Sequence, residues 1–463
     1  MRVLLISYFF PPFNTIGAVR AGKTAAYLER FGHEVRVISA LNQPLQPTLP
    51  VEINQAHLIQ TSWCNVDWPV ELAMGGRRRV AARGFTAGGT GRRSLLSRLG
   101  RTYKTLLHVP DGQIGWFPFA LRAGSRLLKT WRPDVIYASA MPYTALLVAS
   151  RLSRRFDIPW VGELRDLWVD HHSYQYPAWR KQWERWLERR TLKTARALVT
   201  VSDPLAERLR EVTRQPVEVV QNGFDPRDFP TRITRSPAAK PLRLVYTGMA
   251  YQGQQDPSPL FAALAQLGPQ RSRVRVDFYG RYVGWVRQVA KQHGVDDLIE
   301  THQVVPYRDS LRLQREADIL ILLSWTDPGV RGILTGKLFE YFGARRPILA
   351  IGPSHDLPAE MIRERGAGFV SRDPGQIADQ LNVWLRKKQT GQGLPDLATA
   401  AVVDLTRERQ TRRLEQFLKQ AITAPGSASG IACHLPHDKI SPPHAHNRSK
   451  LPVGEAQSQF PEV

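Results

Sequence analysis

Short apolar runs of β-forming residues alternate with amphipathic helical stretches along most of the chain, and this alternation constrains the fold more than any other feature. Helices that connect successive strands place those strands in parallel and cover both faces of the sheet. Residues 18–31 and 143–154 have the spacing of helices, and Trp179, Trp183, Trp186 and Leu187 mark a further long helix. The predicted strands are Val3–Ile6, Glu34–Ile38, Asp134–Tyr137, Trp160–Glu163, Ala197–Val201, Val217–Val220, Leu242–Tyr246, Val274–Phe278, Ile319–Leu323 and Pro347–Ile351.

Because the pattern restarts after residue 240, it predicts an α/β protein with two Rossmann-like, doubly wound parallel-sheet domains that face a cleft. The segment Pro230–Pro241 has a proline at each end, a Ser-Pro pair and no apolar period, as expected of a linker. The predicted organisation is a first domain over 1–230, a linker over 231–241, a second domain over 242–399, a helix over 400–422 and a disordered tail over 423–463.

The net charge of +23 favours an anionic partner such as phospholipid, nucleic acid or a phosphorylated substrate. Part of this charge lies between Arg77 and Lys104, in a glycine-containing stretch without an acidic residue. The stretch is interpreted either as a solvated loop or as a segment that adheres to anionic lipid. No nucleic-acid-binding motif accompanies the charge, so no nucleic-acid partner is expected.

Membrane-spanning and disulfide-rich classes are disfavoured by two features of the sequence. No run of about 18 or more apolar residues occurs, so no transmembrane helix is expected. The chain has two cysteines, Cys64 and Cys433, which indicates neither a disulfide framework nor a cysteine metal site and fits a reducing cytoplasm. No D-x-D sequence or other metal motif is present, so neither a metal nor a cofactor is predicted.

One motif points to a different class of protein. Gly17–Thr24 matches the phosphate-binding loop G-x-x-x-x-G-K-[ST] of many ATPases and GTPases. That loop follows a strand directly, whereas residues 8–16 separate Gly17 from the first predicted strand. The residues around Gly22 also have the composition of a helix. A chance match is therefore favoured, and a P-loop NTPase stays as an alternative.

Five segments together resemble the GT-B-fold retaining glycosyltransferases of group 1 / family 4. They are SYFFPPFNTIGAVRAGKTAAYLERFGHEVRVISA, PDVIYASAMPYTALLVASRL followed by IPWVGELRDLW, ALVTVSDPLAERLRE, VEVVQNGFDPRDF and TGKLFEYFGARRPILAIGP, in the expected order from residue 1 to about 420. The resemblance implies an enzyme that transfers a sugar from a nucleotide-diphosphate sugar to a hydroxyl group. It also implies a first domain on the acceptor side and a second that binds the nucleotide sugar.

The chemistry places donor-binding residues before a predicted helix of the second domain. Sugar transfer leaves negative charge on a diphosphate, which helix N-terminal amides and a nearby cation stabilise. We expect Lys337 to contact the diphosphate and Glu340 to accept hydrogen bonds from the ribose, with a solvated lysine and a helix-dipole carboxylate as the alternatives. The remaining donor-side candidates of this domain are Gly248, Arg281, Gly329, Gly332, Thr335 and Gly336.

The chain departs from the family pattern at two of these positions. Relatives usually carry a glutamate eight positions before the one matched by Glu340, and Gly332 stands there instead. Relatives also carry Arg and Lys after the first strand of the second domain, where this chain has the uncharged stretch around Gly248. Lys337, with Arg331 or Arg281, is the hypothesised replacement for those cations.

The first domain supplies candidates for both substrates. The resemblance places Gly17 opposite the donor phosphate, with Arg20 one turn further on. Asp166 is proposed as an acceptor-hydroxyl contact or weak base with Arg165 as its charge partner, the alternative being a structural ion pair. Further acceptor-side candidates, each weighed against a purely structural role, are Glu163, Asp111 and Trp116.

These features predict a metal-independent, hexosyltransferase-like retaining enzyme. Its acceptor is expected to be a lipid-linked saccharide of envelope polysaccharide synthesis. The protein is expected in the cytoplasm, either free or as a peripheral protein on the anionic inner face of the cell membrane. A nucleotide-sugar epimerase and a non-catalytic, basic nucleic-acid-binding protein are the alternatives besides the NTPase.

Overall fold

The first half of the chain folds into a seven-stranded parallel sheet. The structure is a computed structural model, and it describes residues 1–69, 102–171, 174, 176–230, 237–281, 283–327, 332–391 and 393–423. The strand order is β3-β2-β1-β4-β5-β6-β7, so the chain winds outward from β1 in both directions. The strands are β1 Arg2–Ile6, β2 Glu34–Ala40, β3 Leu58–Thr61, β4 Val135–Ala140, β5 Trp160–Leu164, β6 Ala197–Thr200 and β7 Val217–Val219.

Helices cover both faces of this sheet because its strands are apolar on both sides. The central strand β1 is buried from Val3 to Ile6, and alternate residues enter two different cores. The Thr15 hydroxyl caps the helix that follows β1 by accepting a hydrogen bond from the Ala18 amide at 3.0 Å. The helices are α1 Ile16–Arg30, α2 Phe117–Leu127, α3 Thr144–Phe156, α4 Ala178–Leu192 and α5 Asp203–Val212.

The second half repeats the arrangement with a six-stranded parallel sheet in the order β10-β9-β8-β11-β12-β13. Its strands are β8 Leu242–Thr247, β9 Val274–Tyr279, β10 Ile299–His302, β11 Ile319–Leu323, β12 Ile348–Ile351 and β13 Gly368–Ser371. The helices are α6 Ser258–Gln266, α7 Gly284–Gln292, α8 Tyr307–Glu316, α9 Gly336–Ala344, α10 Leu357–Glu364 and α11 Pro374–Gln389. The predicted pair of doubly wound parallel sheets is therefore confirmed.

Three strands were not expected from the sequence, and all three lie at sheet edges. They are β3, β10 and β13. Each has four residues, and most of these residues are only partly buried or exposed. A short edge strand needs few apolar residues, so it leaves a weak periodic signal.

The last described helix, α12 Arg407–Thr423, crosses back to the first sheet. Its apolar residues Leu414, Phe417, Leu418 and Ala421 share a core with β1 and α1. An ion pair between Arg413 and Glu218 of β7 adds to this packing. The chain thus passes between the two sheets twice, and α12 stabilises the first sheet.

Several sequence-based expectations fall outside the described residues. They are most of the basic stretch from Arg77 to Lys104, part of the linker, and nearly all of the tail. Among the residues that are described, none of the helices combines the length and the apolar character needed to cross a bilayer.

The packing of α12 predicts that Phe417→Ala destabilises the protein, because Phe417 is 2% exposed and its removal leaves a cavity. The expected loss in the free energy of unfolding is about 3–5 kcal/mol, measured by denaturant titration. Arg409→Ala, an exposed position on the same helix, is the matched control and should change stability by less than about 0.5 kcal/mol. Equal effects of the two substitutions would show that α12 is not part of the core.

Candidate active site in the cleft between the two sheets

The cleft is formed where the loops after β1 and β6 meet the segment before α9. The Ser202 hydroxyl donates a hydrogen bond to the Gly332 carbonyl at 2.8 Å. A Cβ on Gly336 would lie 2.1 Å from Cδ1 of Ile16, so the first turns of α9 and α1 are in contact. Ligands of doubly wound sheets bind at the carboxyl ends of strands, which is where these loops begin.

A buried ion pair between Arg20 and Glu163 supports the floor of the first sheet. Glu163 Oε1 accepts hydrogen bonds from Nε and Nη2 of Arg20, at 2.8 and 2.6 Å. The remaining Arg20 protons go to the carbonyls of Val220 and Gln221 and to Oδ1 of Asn222. One guanidinium therefore joins α1, β5 and the loop after β7.

The Glu163 carboxylate is held in its charged form. It also accepts hydrogen bonds from the hydroxyls of Tyr137 and Ser139, both at 2.5 Å. Burial alone would raise its pKa, but Arg20, Arg165 and the hydrogen bond from Ser139 lower the pKa to about 2. The expectations that Arg20 binds the donor and Glu163 the acceptor are corrected, because both side chains are 3% exposed or less and their polar atoms already have partners.

Arg165 lies beside the first turn of α1. Its Nε and Nη2 donate to the carbonyls of Ala140 and Met141, at 2.6 and 2.9 Å. Its Nη1 lies 2.7 Å from the position of a Cβ on Gly17, so only glycine leaves room for the guanidinium there. Burial lowers the pKa of Arg165, while Glu163 and Asp166 act against that shift. The cation and the first-turn amides of α1 are thus on the same side of the cleft.

Asp166 follows β5 and is partly exposed at the cleft. Among the described residues its carboxylate forms no ion pair or hydrogen bond, although its negative charge acts to raise the pKa values of Arg165 and Tyr143. The structure therefore leaves Asp166 free to contact a hydroxyl group.

Lys337 is the cation of the second sheet that reaches the cleft. Its Nζ lies 3.5 Å from the centre of the Tyr246 ring, and a Cβ on Gly248 would lie 3.3 Å from that nitrogen. Gly248 has a φ of +113°, a conformation that glycine adopts without strain. Within the described residues, no carboxylate lies within ion-pair distance of Lys337. Loss of hydration lowers its pKa to about 7, partly opposed by Glu340.

Glu340 lies one turn after Lys337 on α9. Its Oε2 accepts a hydrogen bond from Nε2 of Gln314 at 3.1 Å. Burial raises its pKa to about 7, against the opposing effects of Gln314, Lys337 and Arg407. Glu340 thus has a free oxygen that can accept a hydrogen bond from a ribose hydroxyl.

Arg407 at the start of α12 is a further cation of the cleft, and the sequence analysis missed it. The residue is 4% exposed, yet its guanidinium forms no hydrogen bond or ion pair with any residue that the structure describes. Burial and the nearby Arg20 lower its pKa to about 10, while Tyr307, Glu163 and Glu340 act in the opposite direction. Only the crossing of α12 between the sheets brings Arg407 to this place, so no local motif could have found it.

Of the other donor-side candidates, Gly332 and Thr335 line the cleft. Gly332, with a φ of +76°, contacts Ser202 and Pro204 of the first sheet, so a longer side chain there would meet the opposite wall. Arg281 is exposed in the turn after β9, and Gly329 and Arg331 lie outside the described residues. A cavity of about 530 Å³ adjoins the site, and its lining includes Gly332, Thr335, Ser324, His355 and Asp356.

Asp111 and Trp116 have structural roles, which corrects the acceptor-side expectation for both. Asp111 accepts hydrogen bonds from the amide and hydroxyl of Thr144, at 2.9 and 2.8 Å, and so caps α3. Trp116 is fully buried, and its indole nitrogen donates to the Thr61 hydroxyl at 2.8 Å. Trp116 has no exposed surface for an acceptor, and both carboxylate oxygens of Asp111 already accept hydrogen bonds from the protein.

The phosphate-loop match is a coincidence of sequence. All of Gly17–Thr24 lies inside α1, so the segment is a helix rather than a phosphate-binding loop. Lys23 Nζ is 2.6–2.8 Å from carboxylate oxygens of Glu52, Asp225 and Asp228. Its ammonium group is therefore already paired and is not available to bind a phosphate.

Comparison with known proteins gives a consistent result. Residues 17–228 match the family described as Glycosyltransferase Family 4, and no curated protein is significantly similar in sequence. The sucrose-phosphate synthase of Thermosynechococcus elongatus is 14% identical with a TM-score of 0.59, over 91% of this chain and 98% of that one. HepE of Anabaena, in complex with UDP and glucose, is 14% identical with a TM-score of 0.58, over 90% and 99%. The lipopolysaccharide outer core galactosyltransferase WaaB is 13% identical with a TM-score of 0.52, over 90% and 98%.

The two sheets and the cleft between them define the GT-B fold. The chain has this fold, and the match of residues 17–228 to Glycosyltransferase Family 4 supports the resemblance drawn from the sequence.

Glu163→Gln should reduce stability, because it leaves Arg20 buried without its charge partner. We expect a loss of about 3–5 kcal/mol in the free energy of unfolding at neutral pH. The Glu163 pKa is lowered to about 2 by folding, so its contribution is complete above the unfolded value of 4.5 and disappears as pH falls toward 2. Denaturant titrations across this range should therefore show the two proteins converging at low pH.

Glu211→Gln is the control for this comparison, since Glu211 forms only an exposed pair with Arg208. It should change stability by less than about 1 kcal/mol at every pH. If Glu163→Gln behaves like Glu211→Gln, the buried pair does not organise the floor of the cleft.

Proposed function

We propose that the protein is a retaining glycosyltransferase that moves a hexose from a nucleotide-diphosphate sugar to a hydroxyl acceptor, without a divalent metal. The observation that carries this proposal is a set of three cations, Lys337, Arg165 and Arg407, around the contact between the first turns of α1 and α9. Unpaired cations beside helix N-termini suit a diphosphate.

The donor is assigned to this set of groups. Lys337, Arg165 and Arg407 neutralise the diphosphate, while the first-turn amides of α1 and α9, including those of Gly17 and Gly336, donate to its oxygens. Glu340 accepts hydrogen bonds from the ribose hydroxyls. HepE, whose structure contains UDP and glucose, has the same fold, which supports a nucleotide-sugar donor here.

The charge distribution supports the following proposed reaction. The bond between the anomeric carbon and the diphosphate oxygen breaks as the acceptor oxygen bonds to the same face of that carbon. The electron pair of the broken bond stays on the diphosphate, where the cations stabilise it. The proton of the acceptor hydroxyl passes to the departing phosphate oxygen, and Asp166 orients that hydroxyl.

The acceptor is proposed to be a lipid-linked saccharide of envelope polysaccharide synthesis at the cytoplasmic face of the membrane. The net charge of +23 supports a substrate at an anionic surface. WaaB, a lipopolysaccharide outer core galactosyltransferase with the same fold, also supports a role in envelope synthesis.

The proposal is tested by thermal unfolding with UDP, GDP, ADP or ATP, each with and without magnesium. A nucleotide at about 100 times its dissociation constant should stabilise the protein by roughly 2.7 kcal/mol. Stabilisation by a nucleoside diphosphate without magnesium is expected. Stabilisation by ATP alone, and only with magnesium, would contradict the proposed diphosphate site. If no nucleotide stabilises the protein and it still binds heparin, a nucleic-acid-binding protein would be favoured.

Nucleotide affinity should fall as pH rises above 7, because Lys337, with a pKa of about 7, loses its proton. Glu340 gains charge over the same range and acts in the same direction, while Arg407 stays protonated. Lys337→Met should weaken binding about tenfold at pH 7, or about 1.4 kcal/mol, and flatten the dependence. Titration calorimetry measures both effects, and exposed Lys291→Met is the control. An unchanged pH profile in Lys337→Met would remove Lys337 from the diphosphate site.

Arg407→Met should separate affinity from stability. A buried cation without a partner destabilises the free protein, so the variant should unfold no more easily than the wild type. It should nevertheless bind the nucleoside diphosphate about 10–100-fold more weakly, because a charge-assisted contact is lost. Arg409→Met, exposed on the same helix, should alter neither quantity. Lower stability with unchanged affinity would show that Arg407 is structural.

A further inference from the structure

Helix α4 exposes three tryptophans on one face. Trp179, Trp183 and Trp186 are 55%, 45% and 54% exposed. Their spacing of four and three residues places them side by side along the helix. Isolated apolar residues are common on protein surfaces, but a row of large aromatic rings marks a surface that binds another partner.

The charges of α4 are distributed in an unusual way. Its two glutamates, Glu184 and Glu188, are 1% and 2% exposed, and Glu184 pairs with the buried Arg180 at 2.7 Å. The side chains of Arg189 and Arg190 are exposed instead. The helix therefore buries its carboxylates and presents tryptophans and cations together.

Tryptophans and cations occur together in the headgroup region of a bilayer. There the indole ring contacts both acyl chains and polar groups, and Lys or Arg side chains pair with anionic phosphates. The guanidinium of Arg190 lies 5.4 Å from the centre of the Trp186 ring, so both groups would meet the same headgroups. A carboxylate on this face would repel them, and α4 exposes none.

A neighbouring segment extends this surface. Arg180 donates hydrogen bonds to the carbonyls of Lys104 and Thr105, at 2.9 and 2.7 Å, which fastens that segment to α4. The next residues, Leu106 and Leu107, are 58% and 47% exposed. They immediately follow the basic stretch that begins at Arg77.

We propose that this tryptophan face, made of Trp179, Trp183, Trp186, Arg189 and Arg190, docks the protein on an anionic lipid bilayer. The inference deepens the proposed function, on which its biological purpose rests. Helix α4 follows the end of β5, where Asp166 faces the cleft, so docking through α4 holds the acceptor side of the cleft near lipid-linked substrates.

The test is co-sedimentation of the full-length protein with phosphatidylcholine vesicles that contain or lack about 30% phosphatidylglycerol, at physiological ionic strength. The wild type is expected to bind only the anionic vesicles. Replacing the three tryptophans by Gln leaves the net charge unchanged and should lower the partition coefficient about tenfold or more. Circular dichroism and nucleotide-dependent stabilisation, which do not involve this face, check that the variant is folded.

A second pair of variants tests the charges. Arg189→Ser with Arg190→Ser should also weaken vesicle binding, whereas Arg386→Ser with Lys387→Ser, two exposed cations of α11, should not. Equal binding by the tryptophan variant and the wild type would overturn the proposal, as would the absence of wild-type binding. A change of oligomeric state in the tryptophan variant without any vesicle binding would assign the face to self-association instead. Failure of the nucleotide tests would leave these vesicle results unaffected, so the two proposals fail separately.

Discussion

The buried ion pair between Arg20 and Glu163 is the interaction on which the cleft depends. It uses every guanidinium proton of Arg20 to join α1, β5 and the loop after β7, and this holds α1 in place on the first sheet. The position of α1 in turn decides where Gly17 meets Arg165 and where Ile16 meets Gly336. The fully hydrogen-bonded ion pair below the cleft thus positions the cations of the cleft, which have no carboxylate partner there.

This contrast separates residues that support the site from residues that bind its ligand. Arg20, Lys23 and Asp111 are conspicuous in the sequence, but each already has protein partners. Lys337 and Arg407 have no hydrogen-bond or ion-pair partner among the described residues, at a cost in stability that a diphosphate would offset. Helix α4 also departs from the usual pattern of burial, because its carboxylates are buried and its tryptophans are exposed.

The sequence predicts the architecture well because the fold follows from local periodicity. The central strands, α1 and α9 are all visible as apolar runs or helical spacing, whereas the edge strands β3, β10 and β13 are too short to give a signal. Lys337 and Glu340 were found from the chemistry of a helix N-terminus, although their roles stay predictions. Arg407 was missed because its place depends on the crossing of α12. Arg20 and Trp116 were misassigned because sequence does not show whether a polar or aromatic side chain already has a partner.

The most direct test of the central claim is transfer of radiolabelled sugar from nucleotide-diphosphate sugars to a lipid extract, followed alongside the release of free nucleotide. The account predicts that label enters the lipid fraction without magnesium, that nucleotide release requires the lipid, and that the new bond keeps the anomeric configuration of the donor. Release of nucleotide without any acceptor would indicate epimerase-like chemistry and contradict the proposed transfer. An inverted anomeric configuration in the product would contradict the proposed mechanism.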